Sequence, residues 1–503
     1  MTSPGQSEPP TLLDAFLHRA EADPDAEFLI PLSGEPVTYG TALHRSRRLA
    51  AWLRASGVRQ GDRIGLHLRN DENWPIATFA VWMLGCEAVV LGSLLRPAEL
   101  RALVGEAGPA LLLTGDEEVR ADDVGIPVAL LGPDLYASGP GSPEPDLARV
   151  TPDPGGVACV FCTSGTTGTP KLVPHTHADL AGAARQMASV YPSRPGFRTT
   201  AAPPRVPPGV IFYPFGHVAA YHAFAFRLWV GRRMVLVPKF SVEAFAAVLA
   251  RYPVDALQLV PAMLHALVTT EKEIDLSGVR YVTAGTAPLT AEVRQAFERR
   301  YGVPILQTYG STEAGPVAHV RYRDIVEGRH PAGSVGRPAP DVEVRINGET
   351  GTPARTGDDG EIVVRRGGPD GRWVRTGDVG RMDADGFLFV TGRISDMLIV
   401  GGFNVFPSDV EQAIRATGLV RDVVVVARPD DRLGEVPVAG VVWADRSAEA
   451  ELVHRLRGTL AHYKVPREFR AIDEVPLTPR GKVDRLAAAE LLRVPAGPAG
   501  RRP

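Results

Sequence analysis

Over the first 150 residues, apolar residues at helical spacing alternate with short continuous apolar runs. The pattern predicts helices over 12–20, 41–55, 74–84 and 97–105, the second closed by Gly57, and strands over 37–39, 63–68, 88–91 and 110–113. Strands separated by helices cross over to lie parallel, so this part reads as layered α/β. The alternation resumes after a glycine-rich stretch at 163–171 and a proline-rich connection at 201–209, and runs to about 310. From about 331 the texture changes. VEVRI (342–346), GEIVVRR (360–366) and FLFVTGR (387–393), separated by Gly, Asp and Pro turns, predict a small β-rich subdomain. Beyond it, further apolar runs and a helix over 448–462 make a separate α+β unit.

The apolar stretch 77–95 has the length of a membrane span, but Glu87, Gly85, Gly92 and Ser93 interrupt it. It reads as a buried helix followed by a buried strand, so no span is expected. The 503 residues suggest two to four domains, and 44% hydrophobic with 22% charged content belongs to a globular chain. Lys+Arg 55 against Asp+Glu 58 leaves a net charge of −3, which excludes a nucleic acid polymer held by a general basic field. The N-terminus has no charged-then-apolar leader pattern, and Cys86, Cys159 and Cys162 cannot build a disulfide framework. A cytoplasmic protein is expected. Cys159 and Cys162 have a metal-like spacing, but they sit in the strand-like run VACVFC, where residues three apart face opposite sides, so they read as two buried small hydrophobes.

Lysine is rare: Lys171, Lys239, Lys272, Lys464 and Lys482 stand among fifty arginines. Where Arg is the default cation, a Lys marks a position that needs a compact, mobile ammonium. Lys171 ends TSGTTGTPK (163–171), directly after an apolar strand. The hydroxyls and unobstructed backbone N–H groups of Thr163, Ser164, Gly165, Thr166, Thr167, Gly168 and Thr169 suit phosphate oxygens. Leu172 follows the lysine, so the P-loop pattern G-x-x-x-x-G-K-[ST] is not met.

TSGTTGTPK resembles the signature of the adenylate-forming superfamily of acyl-CoA synthetases, luciferases and peptide-synthetase adenylation domains. Further motifs similar to that superfamily follow in order: YPFGHV (213–218), TAGTAPL (283–289), QTYGSTE (307–313), GSVGRPAP (333–340), WVRTGDVG (373–380), DGFLFVTGR (385–393), VGGFNVFPSDVE (400–411) and PLTPRGKVDR (476–485). They span about residues 10–490, so the resemblance is to a complete enzyme. It implies an N-terminal AMP-binding domain over 1–393 with layered α/β subdomains and the β-rich unit. A mobile α+β C-terminal domain over 394–493 and a disordered tail over 494–503 would follow.

The resemblance also assigns roles. Thr312 contacts the α-phosphate, Glu313 holds Mg²⁺ and Tyr309 faces adenine, while Asp378 takes the ribose hydroxyls and Arg393 makes a second contact to ribose or phosphate. These types suit a reaction whose difficulty is neutralising and aligning charge. Lys482 matches the mobile lysine that reaches the substrate carboxylate during adenylation. The hinge position, commonly Asp or Lys in the superfamily, is Ser395 here, followed by Asp396. His217, Ala219, Tyr221, Gly285, Thr286 and Thr308 would line the acid pocket. No Asp stands where amino-acid-activating domains hold an ammonium group, so a plain aryl or medium-chain acid is expected. Gly401, Gly402 and Phe403 would line a channel for coenzyme A. The implied reaction joins ATP and a carboxylic acid into an acyl-adenylate, with Mg²⁺, and passes the acyl group to CoA. An amine or carrier-protein thiol is the alternative acceptor, and a nucleotide-sensing protein without catalysis is the alternative from another class.

Overall fold

The computed structural model describes the chain except residues 1–7, 94, 96, 133–150, 164–170, 192–205, 288, 349–350, 367–370, 402, 479–482 and 494–503. It divides into two compact units, Met1–Arg329 and His330–Pro503. The larger unit is layered α/β. One of its sheets runs, from edge to edge, Val128–Leu130, Leu111–Thr114, Arg63–His67, Glu87–Val90, Val157–Thr163 and Lys171–Thr176. All neighbours are parallel except the last pair. In another, Ala256–Leu259, Tyr281–Ala284 and Ile305–Ser311 are parallel, and Gly315–His319 returns antiparallel beside the third.

Most sequence-predicted elements fall within a residue or two of the observed ones. The stretch 77–95 folds as a helix Asn73–Met83, all but its first residue buried, and a strand Glu87–Val90. Among the described residues no helix is long and apolar enough to cross a membrane. One boundary moves for a clear reason: Tyr39 opens the helix Tyr39–Ala55 instead of closing a strand, because Thr38 caps that helix, accepting from the Thr41 N–H.

The central strand Val157–Thr163 carries core on both faces. Cys159 and Phe161 join the cluster built around Trp74, Phe79 and Trp82, whereas Val160 and Cys162 join a second around Leu100, Val104 and Leu112. The two thiols therefore lie on opposite faces of one sheet and cannot share a metal. Burial holds the Cys159 thiol far above its usual range.

The smaller unit begins with an antiparallel meander, Val342–Asn347, Gly360–Arg366, Trp373–Met382 and Leu388–Arg393. A second sheet pairs Leu398–Val400, Phe403–Val405, Gly434–Trp443, Val420–Asp430 and Glu468–Ala471, with helices Pro407–Ala416 and Glu449–Thr459 contributing to its core. Within the smaller unit the meander packs on the start of the helix Pro407–Ala416. A Cβ on Gly392 would lie 2.6 Å from the Phe406 ring, and Ser408 donates to the Thr391 carbonyl at 2.6 Å. The tail 494–503 lies outside the described residues.

Candidate active site

In the larger unit the site is built on two hairpins. The first joins Val157–Thr163 to Lys171–Thr176 in the register Thr163↔Lys171 through Val157↔Thr176. The buried strand ends at Thr163, and the exposed Lys171 opens the return strand at the sheet edge. Ser164, Gly165, Thr166, Thr167, Gly168 and Thr169 lie outside the described residues, and Thr163 is placed by its backbone as the last residue of its strand. The return strand feeds the helix His177–Val190 through a reciprocal cap, in which Thr176 accepts from the Asp179 N–H and Asp179 from the Thr176 N–H.

The second hairpin carries QTYGSTE. Ile305–Ser311 and Gly315–His319 pair as Gly310↔Pro316 and Ser311↔Gly315, leaving Thr312, Glu313 and Ala314 as the turn. Only glycine fits at 310, where a Cβ would lie 2.3 Å from the Gly315 carbonyl oxygen. Ser311 steadies the turn by accepting from the Ala314 N–H at 3.0 Å. Tyr309 and Thr312 are half-buried, and Glu313 is exposed.

The two hairpins are tied together. Nε2 of His175, on the return strand, lies 2.7 Å from the Thr312 carbonyl oxygen, and Gln186, on the following helix, donates to the Pro316 carbonyl at 3.2 Å. Nothing in the sequence signals either contact, because each joins segments at least 130 residues apart.

On the neighbouring strand, Gly285 and Thr308 touch: a Cβ on Gly285 would lie 2.2 Å from Thr308 Oγ1, which itself donates to the Ala284 carbonyl at 3.3 Å. Thr286 then takes φ +71° with an exposed side chain, a conformation strained for a β-branched residue. Gly285, Thr286 and Thr308 are thus brought together beside Tyr309. His217 occupies the N-cap position of the helix Val218–Trp229 without a side-chain capping bond, and Ala219 is half-buried in the first turn.

Tyr221 departs from the expectation. It is 1% exposed, and its hydroxyl accepts from Trp74 Nε1 at 2.8 Å and lies 3.1 Å from Thr78 Oγ1. Its polar end is engaged inside the core, so the structure makes it a packing residue. Tyr213, Phe215, Phe224 and Phe226 are core as well.

The smaller unit holds the remaining residues. Asp378 and Arg393 face each other across adjacent strands, and Arg393 Nε donates to Asp378 Oδ1 at 2.7 Å. Asp378 is buried with its side chain 11% exposed, whereas Arg393 is 48% exposed, so the guanidinium keeps much of its contact with solvent. Ser395 sits in a 3₁₀ turn, Ile394–Asp396, and its hydroxyl donates to Asp396 Oδ1 at 2.8 Å. Gly401 has φ +59° in a hairpin whose next described residue, Phe403, is 54% exposed and stacks on Tyr463 at 4.5 Å. Gly402 and Lys482 lie outside the described residues. The base of the segment bearing Lys482 is nonetheless fixed: Leu477 bridges Val483, Asp484 caps the helix Arg485–Leu491, and Arg485 is anchored to Glu411. Among the described residues no cluster of three or more metal-ligating side chains occurs.

Comparison with known proteins gives a consistent picture. The profile of the AMP-binding enzyme family matches residues 16–369, and that of the AMP-binding enzyme C-terminal domain matches 409–482. A sulfoacetate–CoA ligase from Cupriavidus necator is 31% identical over 95% of this chain and 97% of its own. An indoleacetate–CoA ligase from Aromatoleum aromaticum is 32% identical over 87% of this chain and 89% of its own. Among solved structures, the amide bond synthetase McbA from Marinactinospora thermotolerans superposes with a TM-score of 0.82 at 28% identity, covering 96% of this chain and 99% of that one.

Proposed function

The chain belongs to the family of AMP-binding enzymes, and on that premise we propose that it is an ATP-dependent acid–thiol ligase, joining a carboxylic acid to AMP and then passing the acyl group to coenzyme A. The observation that carries this reading is the tie between the two hairpins. It brings the strand that begins at Lys171 to the turn that bears Thr312 and Glu313. A cation and a hydroxyl near one α-phosphate, with one carboxylate beside them, suit attack by a carboxylate on a phosphorus that is itself surrounded by negative charge.

The donor set fits Mg²⁺, which takes one or two carboxylates and completes its shell with phosphate oxygens and water. Glu313, exposed at the turn, would hold it, and the ion would supply charge neutralisation on the phosphates. Thr312 orients the α-phosphate, Tyr309 offers a flat face to adenine, and Asp378 accepts from the ribose hydroxyls. Lys482 delivers its ammonium to the carboxylate and the α-phosphate. A long stem and point charge suit a group that enters and later leaves. Domain boundaries near 393/394 and a hinge at Ser395 belong to this proposal, as does a cytoplasmic location.

The acid is a plain carboxylate of aryl or medium-chain type: no acidic side chain stands among His217, Ala219, Gly285, Thr286 and Thr308 to hold an ammonium. CoA is the acceptor, favoured by the likeness to two CoA ligases, with Gly401, Gly402 and Phe403 lining the approach of its thiol arm. The likeness to an amide synthetase keeps an amine as the second reading. The test is incubation with ATP, Mg²⁺ and a panel of aryl and medium-chain acids, with CoA or simple amines in separate tubes and products identified by mass. A thioester supports the reading. An enzyme-dependent product in the amine tubes alone replaces it with amide formation.

A further inference from the structure

We propose that His175 and Gln186 are positioning residues for adenylation, a two-point clamp that holds the Thr312–Glu313 turn in fixed register with the strand beginning at Lys171. The proposal rests on the roles given above to Thr312 and Glu313. Neither clamp residue is placed in contact with ATP or the acid.

The turn is short and partly exposed, and residues in such a turn drift unless their backbone is held from outside. Two backbone carbonyls hold it here. Thr312 C=O can only accept, so the proton of the 2.7 Å contact sits on His175 Nε2. Pro316 C=O, on the far side of the turn and paired across the hairpin with Gly310, accepts from Gln186. Both donor side chains are buried, at 6% and 4% exposed, so each reaches its half-buried acceptor from inside the core.

Both donors also come from one rigid piece. His175 lies opposite Cys159 in the sheet, with its ring edge-on to Phe161 at 5.1 Å. Gln186 lies on the helix that starts one residue after the Thr176 cap. The strand that opens with Lys171 is therefore the same body that grips the turn carrying Thr312 and Glu313. A cation on one hairpin and a hydroxyl and carboxylate on another must meet one triphosphate, and their relative placement is set by these two bonds.

The experiment compares His175→Leu, His175→Gln and Gln186→Leu with the wild-type chain. Acid-dependent exchange of labelled pyrophosphate into ATP is followed at several Mg²⁺ concentrations. Transfer to CoA from supplied acyl-AMP and thermal unfolding are measured in parallel. A misplacement of about 1 Å costs up to about a hundredfold in rate, so His175→Leu should slow exchange by about tenfold or more and raise the Mg²⁺ requirement. Transfer from acyl-AMP should change far less. His175→Gln, which keeps an N–H at similar reach, should recover much of the rate. Gln186→Leu should act in the same direction, and the double variant should depart from additivity because both bonds hold one turn. An unchanged rate and Mg²⁺ titration in folded His175→Leu overturns the clamp, as does equal loss of both half-reactions with no rescue by Gln. If His175→Leu does not fold, Gln186→Leu decides by the same criteria. If the wild-type chain exchanges label with no acid, the ligase reading fails. The clamp is then decided by calorimetry of ATP binding: it requires that Mg²⁺ strengthen binding in wild type and do so markedly less in His175→Leu.

Discussion

Glu411→Gln tests how the segment bearing Lys482 is anchored. Glu411 is 5% exposed. Its Oε1 accepts from Arg485 Nη1 at 2.5 Å and from the Val425 N–H at 2.8 Å, and Oε2 accepts from Arg485 Nη2 at 3.2 Å. Glutamine keeps the shape but removes the charge and turns an amide N–H₂ toward a guanidinium that cannot accept. Breaking a buried ion pair from one side costs about 3–5 kcal/mol, because the remaining charge is left in a dry site. Arg485 retains the Val425 carbonyl at 2.8 Å and Asp396 at 3.4 Å, so the lower end, about 3 kcal/mol, applies. For a unit of this size that lowers its unfolding temperature by about 6–12 °C. Scanning calorimetry of the full chain reads the shift. Pyrophosphate exchange should fall as well, since Arg485 lies three residues beyond Lys482. Replacing both partners, as Glu411→Leu with Arg485→Met, should cost less than either single change. An unchanged transition in Glu411→Gln, or a double variant less stable than both singles, would refute the reasoning.

Three further outcomes are expected. Lys482→Ala should abolish exchange while ATP binding, measured by calorimetry, and transfer from supplied acyl-AMP persist; equal loss of both half-reactions would contradict its role. Thr286→Gly should raise stability in urea unfolding by about 1 kcal/mol, because glycine takes a positive φ without strain; a drop would show that the threonine is not strained there. Burial pushes the Asp71 carboxyl up to about 6 from 3.8, so the folded chain holds that proton more tightly than the unfolded one. Stability therefore falls as pH rises from about 4 to about 6, and the advantage of Asp71→Asn over wild type, read from urea midpoints, should grow across that window and then level off.

Much of the fold is legible in the chain because its signals are local. Apolar runs such as ACVFC (158–162) and the four valines 423–426 are buried, and Gly, Asp and Pro mark turns between such runs. Motif order locates the two hairpins and the Asp378–Arg393 pair, because the motifs carry the glycines their backbone needs, as Gly310 does before Ser311. Packing partners are not written locally. Tyr221 reads as a pocket residue, and only Trp74 and Thr78, more than 140 residues away, show its hydroxyl engaged in the core. No local pattern singles out His175, whose tie to Thr312 spans 137 residues. The meander's association with the helix after it depends on Gly392 meeting the Phe406 ring, a contact that alternation along a strand does not encode.

Acid-dependent ATP–pyrophosphate exchange tests the central claim most directly, because it reports the adenylation step alone and is indifferent to the acceptor. The enzyme is incubated with ATP, Mg²⁺, labelled pyrophosphate and each acid of the panel in turn, without CoA. Label should enter ATP only when an acid and Mg²⁺ are both present, and AMP should accumulate once CoA is added. ATP that binds but exchanges no label with any acid, or that is cleaved to ADP, would contradict the account.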